Sequence, residues 1–442
     1  MNERLLQFIW QGRYFSPGPF YTTYNEPLEI LDTGLLNANQ GPDFKTAKIK
    51  LGQTLWIGNI EIHVKASDWY KHHHQSDPNF QSVILHVVWE EDSTILDLNG
   101  NRIPCFCLEP WVPKMMLNRF RQLMEDQLYL IPCNAYLKDI NTLHWTFLKE
   151  RLLVERLQFK TAKVLSYYQQ SKHDWETVCW WMIAHNFGLT VNALLFEAIA
   201  KNLSLNMLKR HSNQLLHLEA LLMGQANLLE AYFEEAYPIM LKKEYKFLQK
   251  KYGLPKINIQ PAFLRMRPVA FPSLRLSQLA MLLQQSSNFF SCFKEATSIQ
   301  EMKNIFHVKA NDYWLYHYRF DHPTVYSEKL LGQQMVNNIL INTVIPLLFA
   351  YGHLINDPFM KEKALSWIEQ LPPERNHLIQ QWSKYGISCR NAGESQALIE
   401  LTQYYCIKKN CLDCTIGSKI LRKGIEAKSS VESGTSIAIT AL

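Results

Sequence analysis

The sequence lacks the features of membrane-spanning and secreted proteins. No window offers the roughly 18 uninterrupted apolar residues that a spanning helix needs. The nearest run, residues 339–350, contains Asn342 and Pro346 and predicts a buried helix instead. The N-terminal stretch carries Glu3 and Arg4 and lacks a long apolar core or a small-residue cleavage site. We therefore expect a cytoplasmic protein without a membrane partner.

Charged residues and familiar cofactor motifs are also scarce. Charged residues make up 19% of the 442 residues and apolar residues 47%, which excludes a disordered chain and supplies more than one core. Nine cysteines without an export signal argue against a disulfide framework. The sequence has neither a Walker loop nor a dinucleotide-binding glycine motif, so it predicts no nucleotide cofactor.

The charge is unevenly distributed. Residues 1–110 carry 8 basic and 13 acidic side chains, a net charge of −5, whereas the remainder carries 38 basic and 27 acidic side chains, a net charge of +11. An acidic part followed by a basic part is expected of an enzyme site beside an anion-binding surface. An ordinary, moderately basic surface is the alternative.

The pattern of apolar residues predicts an α+β protein with two domains. Residues 1–110 alternate between strand-like runs and turns, which predicts a mixed-sheet domain. Residues 111–425 follow the 3.6-residue period of helices, and the Ser/Thr-rich residues 426–442 predict a disordered tail. The predicted elements of the first domain are a helix at 3–10, strands at 28–32, 46–51, 54–64 and 82–89, and a hairpin of 94–98 with 102–108.

Two short motifs in this domain predict a metal site. Asp43 precedes a predicted strand, and Glu61, His63 and Lys65 alternate along the next one, so all three are expected on one face. Two carboxylates on neighbouring strands can bind Mg²⁺, which activates a water molecule, and His63 or Lys65 can assist that water. In the alternative, Asp43 caps a turn and the other three residues face solvent.

Histidines are dense around these motifs. His63, the run of residues 72–74 and His86 lie within 24 residues, together with Asp68 and Asp77. They are compatible with a transition-metal site or a histidine-assisted phosphodiesterase. For residues 72–74 we favour an exposed polar loop. His86 interrupts an apolar strand, so it is either a hydrogen-bonded core residue or a member of the same site as Glu61.

Four cysteines near the end of the chain predict a second metal. Cys389, Cys406, Cys411 and Cys414 have the spacing C-x16-C-x4-C-x2-C. Four thiolates suit Zn²⁺ or an iron–sulfur cluster and leave no open coordination position, which predicts a structural role. A set of reduced thiols without a metal is the alternative.

An arginine-rich segment stands out in the helical part. Arg265, Arg267 and Arg275 surround two prolines at the start of an amphipathic helix. Arginines held in this way can bind phosphate groups of a nucleic acid. The alternative is a structured connection whose arginines pair with nearby acids.

The motifs GPDF and EIHVK resemble those of the restriction-endonuclease-like superfamily, whose pattern is PD…(D/E)-x-K. The resemblance covers about residues 1–110 and implies that Asp43 and Glu61 bind Mg²⁺. His63 stands at the lysine position, which is a departure, and Lys65 lies two residues further on. The whole chain also resembles an uncharacterised bacterial family, in the stretches NQGPDF, GNIEIHVKASDW, VILHVVWE, EALLMGQ, RPVAFPSLRLSQLA and YCIKKNCLDC.

We therefore expect a Mg²⁺-dependent phosphodiesterase that acts on DNA or RNA, with the basic helical part binding the nucleic acid. A non-catalytic nucleic-acid-binding or scaffold protein on a decayed nuclease fold is the alternative, favoured by His63 at the lysine position. A metal-dependent hydrolase of a small molecule is a third. The predicted catalytic residues are Asp43, Glu61, His63, Lys65 and His86.

Overall fold

The structure is a computed structural model that describes residues 1–125, 130–286 and 288–423. The chain divides into two units, of which the first takes in residues 1–144 and the segment from residue 401, and the second takes in residues 145–400. The first unit thus extends past residue 110. The predicted disordered tail, residues 426–442, lies outside the described residues.

The first unit contains a mixed sheet, so the predicted α+β class is confirmed at that level. The strand order is β1-β2-β4-β5-β6-β7, with β3 paired to β4. The strands are β1 (Phe20–Tyr21), β2 (Pro27–Asp32), β3 (Leu35–Leu36), β4 (Phe44–Leu51), β5 (Thr54–Lys65), β6 (Val83–Glu90) and β7 (Cys105–Cys107).

The direction of the strands changes at the centre of the sheet. Strands β2, β4 and β5 form an antiparallel meander, whereas β6 is parallel to β5 and β7 is parallel to β6. The first six residues of β6 are all buried, as expected of a central strand covered on both faces. A parallel pair needs a long crossover, and here residues 66–82 provide it, with α2 (Asp68–Lys71) and two 3₁₀ turns.

Helix α1 (Glu3–Gln11) packs on this sheet. The side chain of Asn2 caps it by accepting a hydrogen bond from the backbone of Leu5 (2.9 Å). Its apolar face is fully buried, and the indole of Trp10 donates to the carbonyl of Thr33 (3.0 Å). The amphipathic pattern therefore fixes which face of α1 lies against the strands.

The four predicted single strands of this domain are present, and the predicted hairpin is present only near its turn. Its two arms are joined by the antiparallel bridge between Leu96 and Arg102 and by backbone hydrogen bonds from Asp97 to Asn101 (2.8 Å) and from Ile103 to Ile95 (3.2 Å). The rest of the second arm contributes β7, whose Cys105 lies opposite His86 in a parallel pair. The edge of β6 has backbone groups that need hydrogen-bond partners, and β7 supplies those partners.

Helices make up most of the remaining chain. The run Gln333–Leu354 is long and apolar enough to cross a membrane, but most of it is buried, which makes it weak evidence for membrane association. The elements are α3 (Lys114–Glu125), α4 (Thr142–Gln170), α5 (Trp175–Phe187), α6 (Leu189–Asn202), α7 (Leu205–Arg210), α8 (Leu215–Gln225), α9 (Ala236–Tyr252), α10 (Pro272–Gln285), α11 (Phe289–Glu295), α12 (Ile299–Ile305), the ribbon β8 (His317–Arg319) with β9 (His322–Pro323), α13 (Gln333–Ile339), α14 (Ile345–Leu354), α15 (Pro358–Glu369), α16 (His377–Lys384), α17 (Ala392–Glu400) and α18 (Thr415–Arg422).

Candidate metal centre

Asp43 and Glu61 come together at the point where β4 begins and β5 passes beside it. The backbone N–H of Asp43 donates to Oε2 of Glu61 (3.1 Å), and Oδ2 of Asp43 accepts from the backbone N–H of Ile62 (3.2 Å). The side-chain amide of Gln7 on α1 donates to Oδ1 of Asp43 (2.9 Å). The two carboxylates are therefore held in fixed positions by neighbouring strands and by α1.

Three histidines converge beside Glu61. Nε2 of His63 lies 3.0 Å from Nδ1 of His72 and 3.5 Å from Oε1 of Glu61, and Nε2 of His74 lies 3.3 Å from the same oxygen. One ring nitrogen from each histidine lies within 4.8 Å of those of the other two. His63 is buried, His74 is half-buried and His72 is exposed, so the cluster is open to solvent on one side.

The crossover brings His72 and His74 back over β5. His73 between them has a positive φ of 60°, which reverses the chain locally. The ring of His74 stacks on Phe80 (3.8 Å between ring centroids), and the buried Trp69 donates to the carbonyl of Leu96 (3.2 Å). The packed crossover thus positions the imidazoles of His72 and His74 over β5.

His86 lies directly behind His63. It is fully buried on β6, and its Nε2 lies 2.8 Å from Nδ1 of His63. Its other nitrogen has no hydrogen-bond partner among the described residues. When Nδ1 of His63 donates to His86, Nε2 of His63 keeps a lone pair for the centre.

Burial and mutual repulsion set the charges of this cluster. Burial, reinforced by the charge of Asp43, raises the pKa of Glu61 to about 9, and burial also raises the pKa of Asp43. Burial, together with His74 and His72, lowers the pKa of His63 to about 3. Burial also raises the pKa of Glu3 on α1, whose charge in turn acts on Glu61. Burial thus favours a neutral His63 and a protonated Glu61, and a bound cation would favour the ionised form of Glu61 instead.

The donor set fits a transition-metal ion. Neutral imidazole nitrogens with one carboxylate oxygen are ligands that Zn²⁺ and similar ions prefer. His63, His72, His74 and Glu61 can supply them, and the exposed side leaves room for a water molecule or a substrate. Asp43 and Glu61 alone offer the oxygen ligands that suit Mg²⁺.

All residues of this site lie within the part of the chain that matches a family model. A family model described as "Protein of unknown function (DUF2851)" matches residues 3–377. The chain belongs to the DUF2851 family. No curated protein and no solved structure matches the chain.

The site of this DUF2851 protein differs in membership from the predicted one. The ammonium of Lys65 lies at a half-exposed position, 3.3 Å from Oε2 of Glu90, and among the described residues this carboxylate is its ion-pair partner rather than the cluster. His72 and His74 belong to the cluster, although we favoured an exposed loop for them. Glu3 was missed altogether, since only the packing of α1 on the sheet brings it near.

The three predicted nucleic-acid-binding arginines have different surroundings in the DUF2851 structure. Arg265 and Arg267 are exposed in the loop before α10. Arg275 is buried within α10, where its guanidinium donates to the side chain of Gln278 (2.9 Å) and its Nε has no partner among the described residues. Burial removes Arg275 from the surface that a nucleic-acid backbone can reach.

The predicted cysteine ligands of the DUF2851 protein fall in both units. Cys406, Cys411 and Cys414 are buried in the first unit. Cys389 belongs to the second unit, and the charged groups that act on its thiol are Lys149, Glu394 and Glu374. The nine cysteines form no disulfide in the described part of the chain.

Proposed function

We propose that this protein is a metal-dependent phosphodiesterase that acts on DNA or RNA. The observation that carries the proposal is the convergence of His63, His72 and His74 on Glu61, with Asp43 beside it. A metal ion bound there would lower the pKa of a bound water molecule and neutralise charge that builds up on a phosphate.

The topology around the site supports a nuclease-like interpretation. Apart from the two-residue strands β1 and β3, a helix, an antiparallel meander, a crossover and a parallel strand follow one another in the order α1, β2-β4-β5, α2 and β6. The restriction-endonuclease-like superfamily has the same order, and its acidic motif residues correspond in place to Asp43 and Glu61. We propose this fold for the first unit on that ground.

The ligands favour a transition metal at the histidines. Three imidazoles and a carboxylate suit Zn²⁺ better than Mg²⁺, whereas Asp43 and Glu61 alone suit Mg²⁺, the predicted cofactor. Oε1 of Glu61 faces the histidines and Oε2 accepts from the backbone of Asp43, so Glu61 belongs to both ligand sets. Comparing the two metals therefore tests which set binds the ion that supports cleavage.

The charge distribution supports a nucleic acid as the substrate. The chain beyond residue 110 carries a net charge of +11, while the part with the carboxylates is acidic. Arg265 and Arg267 are exposed and can reach phosphate groups. A basic surface binds a nucleic-acid backbone without reading its sequence.

The test is cleavage of labelled single- and double-stranded DNA and RNA by the metal-free full chain after addition of Zn²⁺, Mn²⁺ or Mg²⁺. We expect cleavage that Asp43→Asn, Glu61→Gln and His74→Ala abolish. His73→Asn and Lys65→Ala are the controls and should remain active, since neither side chain contacts the cluster. Asn is chosen because it tolerates the positive φ of His73.

Two outcomes would contradict the proposal. Nucleic-acid binding without cleavage under any of the three metals would support the scaffold alternative. Cleavage that survives in both Asp43→Asn and His74→Ala would place the reaction elsewhere or attribute it to a contaminant. Hydrolysis of a small phosphodiester alone, dependent on His74, would keep the metal centre and reject the nucleic acid as substrate.

A further inference from the structure

Four buried thiols from two distant segments of the sequence lie in the first unit. Cys133 immediately precedes the 3₁₀ turn Asn134–Asp139, and its side chain is 8% exposed. Cys406, Cys411 and Cys414 lie in the segment before α18 and are between 7% and 8% exposed. All four belong to the first unit, which contains the sequence on both sides of the second.

The loop that carries three of these cysteines is tightly folded. Lys409 has a positive φ of 54°, and its backbone N–H donates to the carbonyl of Cys406 (3.1 Å). A side-chain carbon added at Gly417 would lie 2.2 Å from the carbonyl oxygen of Cys411, so only glycine allows α18 to approach this closely. The backbone N–H of Ser418 donates to the carbonyl of Cys414 (2.8 Å), which fixes that cysteine at the start of α18.

Hydrogen bonds tie this loop and α18 to the chain segment that precedes Cys133. The ammonium of Lys409 donates to the carbonyl of Met124, near the end of α3. The guanidinium of Arg119 on α3 donates to the carbonyl of Ile420 on α18 (3.2 Å). The two segments that carry the thiols are therefore held together by contacts that do not involve the cysteines.

The turn that follows Cys133 also contacts the end of α18, where the ammonium of Lys423 donates to Oδ2 of Asp139 (2.8 Å), and electrostatic interactions connect the four thiols across these segments. Cys133 interacts with Cys414 and Cys411. Cys406 interacts with the other three, and Cys411 interacts with Cys414. Burial raises the pKa of Cys133, Cys406 and Cys411 and keeps these thiols neutral on their own, whereas a cation bound among them would balance the charge of four thiolates.

We propose that Cys133, Cys406, Cys411 and Cys414 form a tetrathiolate metal centre, with Cys133 in place of the predicted Cys389. Thiolates at this spacing bind Zn²⁺ or an iron–sulfur cluster, and four of them leave no open coordination position. The centre is therefore structural, and it fastens the loop before α18 to the turn that follows Cys133. It does not depend on the proposed phosphodiesterase activity.

The test compares two cysteine-to-serine variants of the full chain. Cys133→Ser should lose the thiolate-bound metal, and Cys389→Ser, the matched control, should keep it. Elemental analysis and acid-labile sulfide distinguish zinc from an iron–sulfur cluster. The sulfur-to-metal absorption of Co²⁺-substituted protein reports thiolate ligands alone, so a metal at the histidines does not interfere.

A second measurement uses the unchanged protein, in case Cys133→Ser does not fold. Mass spectrometry after alkylation under native conditions should show Cys133, Cys406, Cys411 and Cys414 protected together, and a thiol-competent chelator should expose all four at once. Cys389 should react whether or not the chelator is present. Independent reaction of Cys133, or metal that is lost in Cys389→Ser and kept in Cys133→Ser, would overturn the proposal.

Discussion

At the scale of single residues, Glu61 links the charge of the site to the stability of the first unit. Its pKa is raised from 4.5 to about 9, so the metal-free folded state holds a proton that the unfolded state releases. This contribution to stability is complete below the unfolded pKa and is lost as the pH rises towards about 9. His63 and His74 have the opposite effect on stability. Burial lowers their pKa values, so the stability contributed by their neutral forms is lost as the pH falls below about 6.5.

We therefore predict that the metal-free protein becomes less stable between about pH 7 and pH 9. In Glu61→Gln the amide cannot ionise, so its unfolding free energy should change less over the same interval. Urea denaturation at several pH values measures both. Parallel curves for the two proteins would mean that Glu61 is already ionised in the folded state.

In the proposed metal centre we assign His86 a positioning role, since it contacts His63 and not the open side of the cluster. In His86→Phe the ring still fills the buried space, but the hydrogen bond that orients His63 is lost. We predict that metal affinity falls about 10- to 100-fold, as expected for loss of an outer-shell partner. Isothermal calorimetry measures it, and partial recovery in His86→Gln separates the hydrogen bond from packing. Unchanged affinity in His86→Phe would remove His86 from the site.

At the scale of elements, the crossover of residues 66–82 determines whether the histidines meet. Trp69 anchors it, being 1% exposed within an apolar cluster. We predict that Trp69→Ala lowers the unfolding free energy by about 3–5 kcal/mol and weakens metal binding as well. The control is Trp56→Ala on β5, which is 46% exposed and should change stability by less than about 0.5 kcal/mol. Full metal affinity in Trp69→Ala would show that the crossover does not position the ligands.

The strands of the site could be predicted from the sequence, whereas the path of the crossover could not. The alternation in β5 and the apolar run of β6 are local patterns, so they indicated the strands and placed Asp43 beside Glu61. The inward position of His72 and His74 depends on the positive φ of His73 and on the stacking of His74 on Phe80. Neither of these features has a local signature, and a run of three histidines by itself is typical of a solvated loop.

Long-range contacts account for the other differences between the predictions from the sequence and the structure. Cys133 lies more than 250 residues before Cys406, and no spacing rule joins a single cysteine to such a distant motif. Glu3 reaches the carboxylates through the packing of α1. The hairpin prediction extended the second arm to residue 108, whereas residues 105–107 pair with the edge of β6 as β7.

At the scale of the whole molecule, the proposed nucleic-acid binding is electrostatic and should weaken with salt. Each phosphate neutralised by a basic side chain contributes about −0.9 to the slope of log affinity against log salt for duplex DNA. The excess of positive charge lies beyond residue 110, so we expect a clearly negative slope. Fluorescence anisotropy with labelled duplexes of unrelated sequence measures it, and all of them should bind similarly.

We predict that Arg265→Ala and Arg267→Ala each make this slope shallower by about 1, because each exposed guanidinium accounts for about one phosphate contact. Arg390→Ala is the charge-matched control: its guanidinium is exposed but bonded to Glu394 (2.7 Å), so its charge is already compensated. Its removal should leave the slope unchanged. Arg275→Gln should also keep the slope and reduce stability instead, because Arg275 is buried. Equal effects of Arg265→Ala and Arg390→Ala would mean that net charge alone, rather than the loop before α10, attracts the nucleic acid.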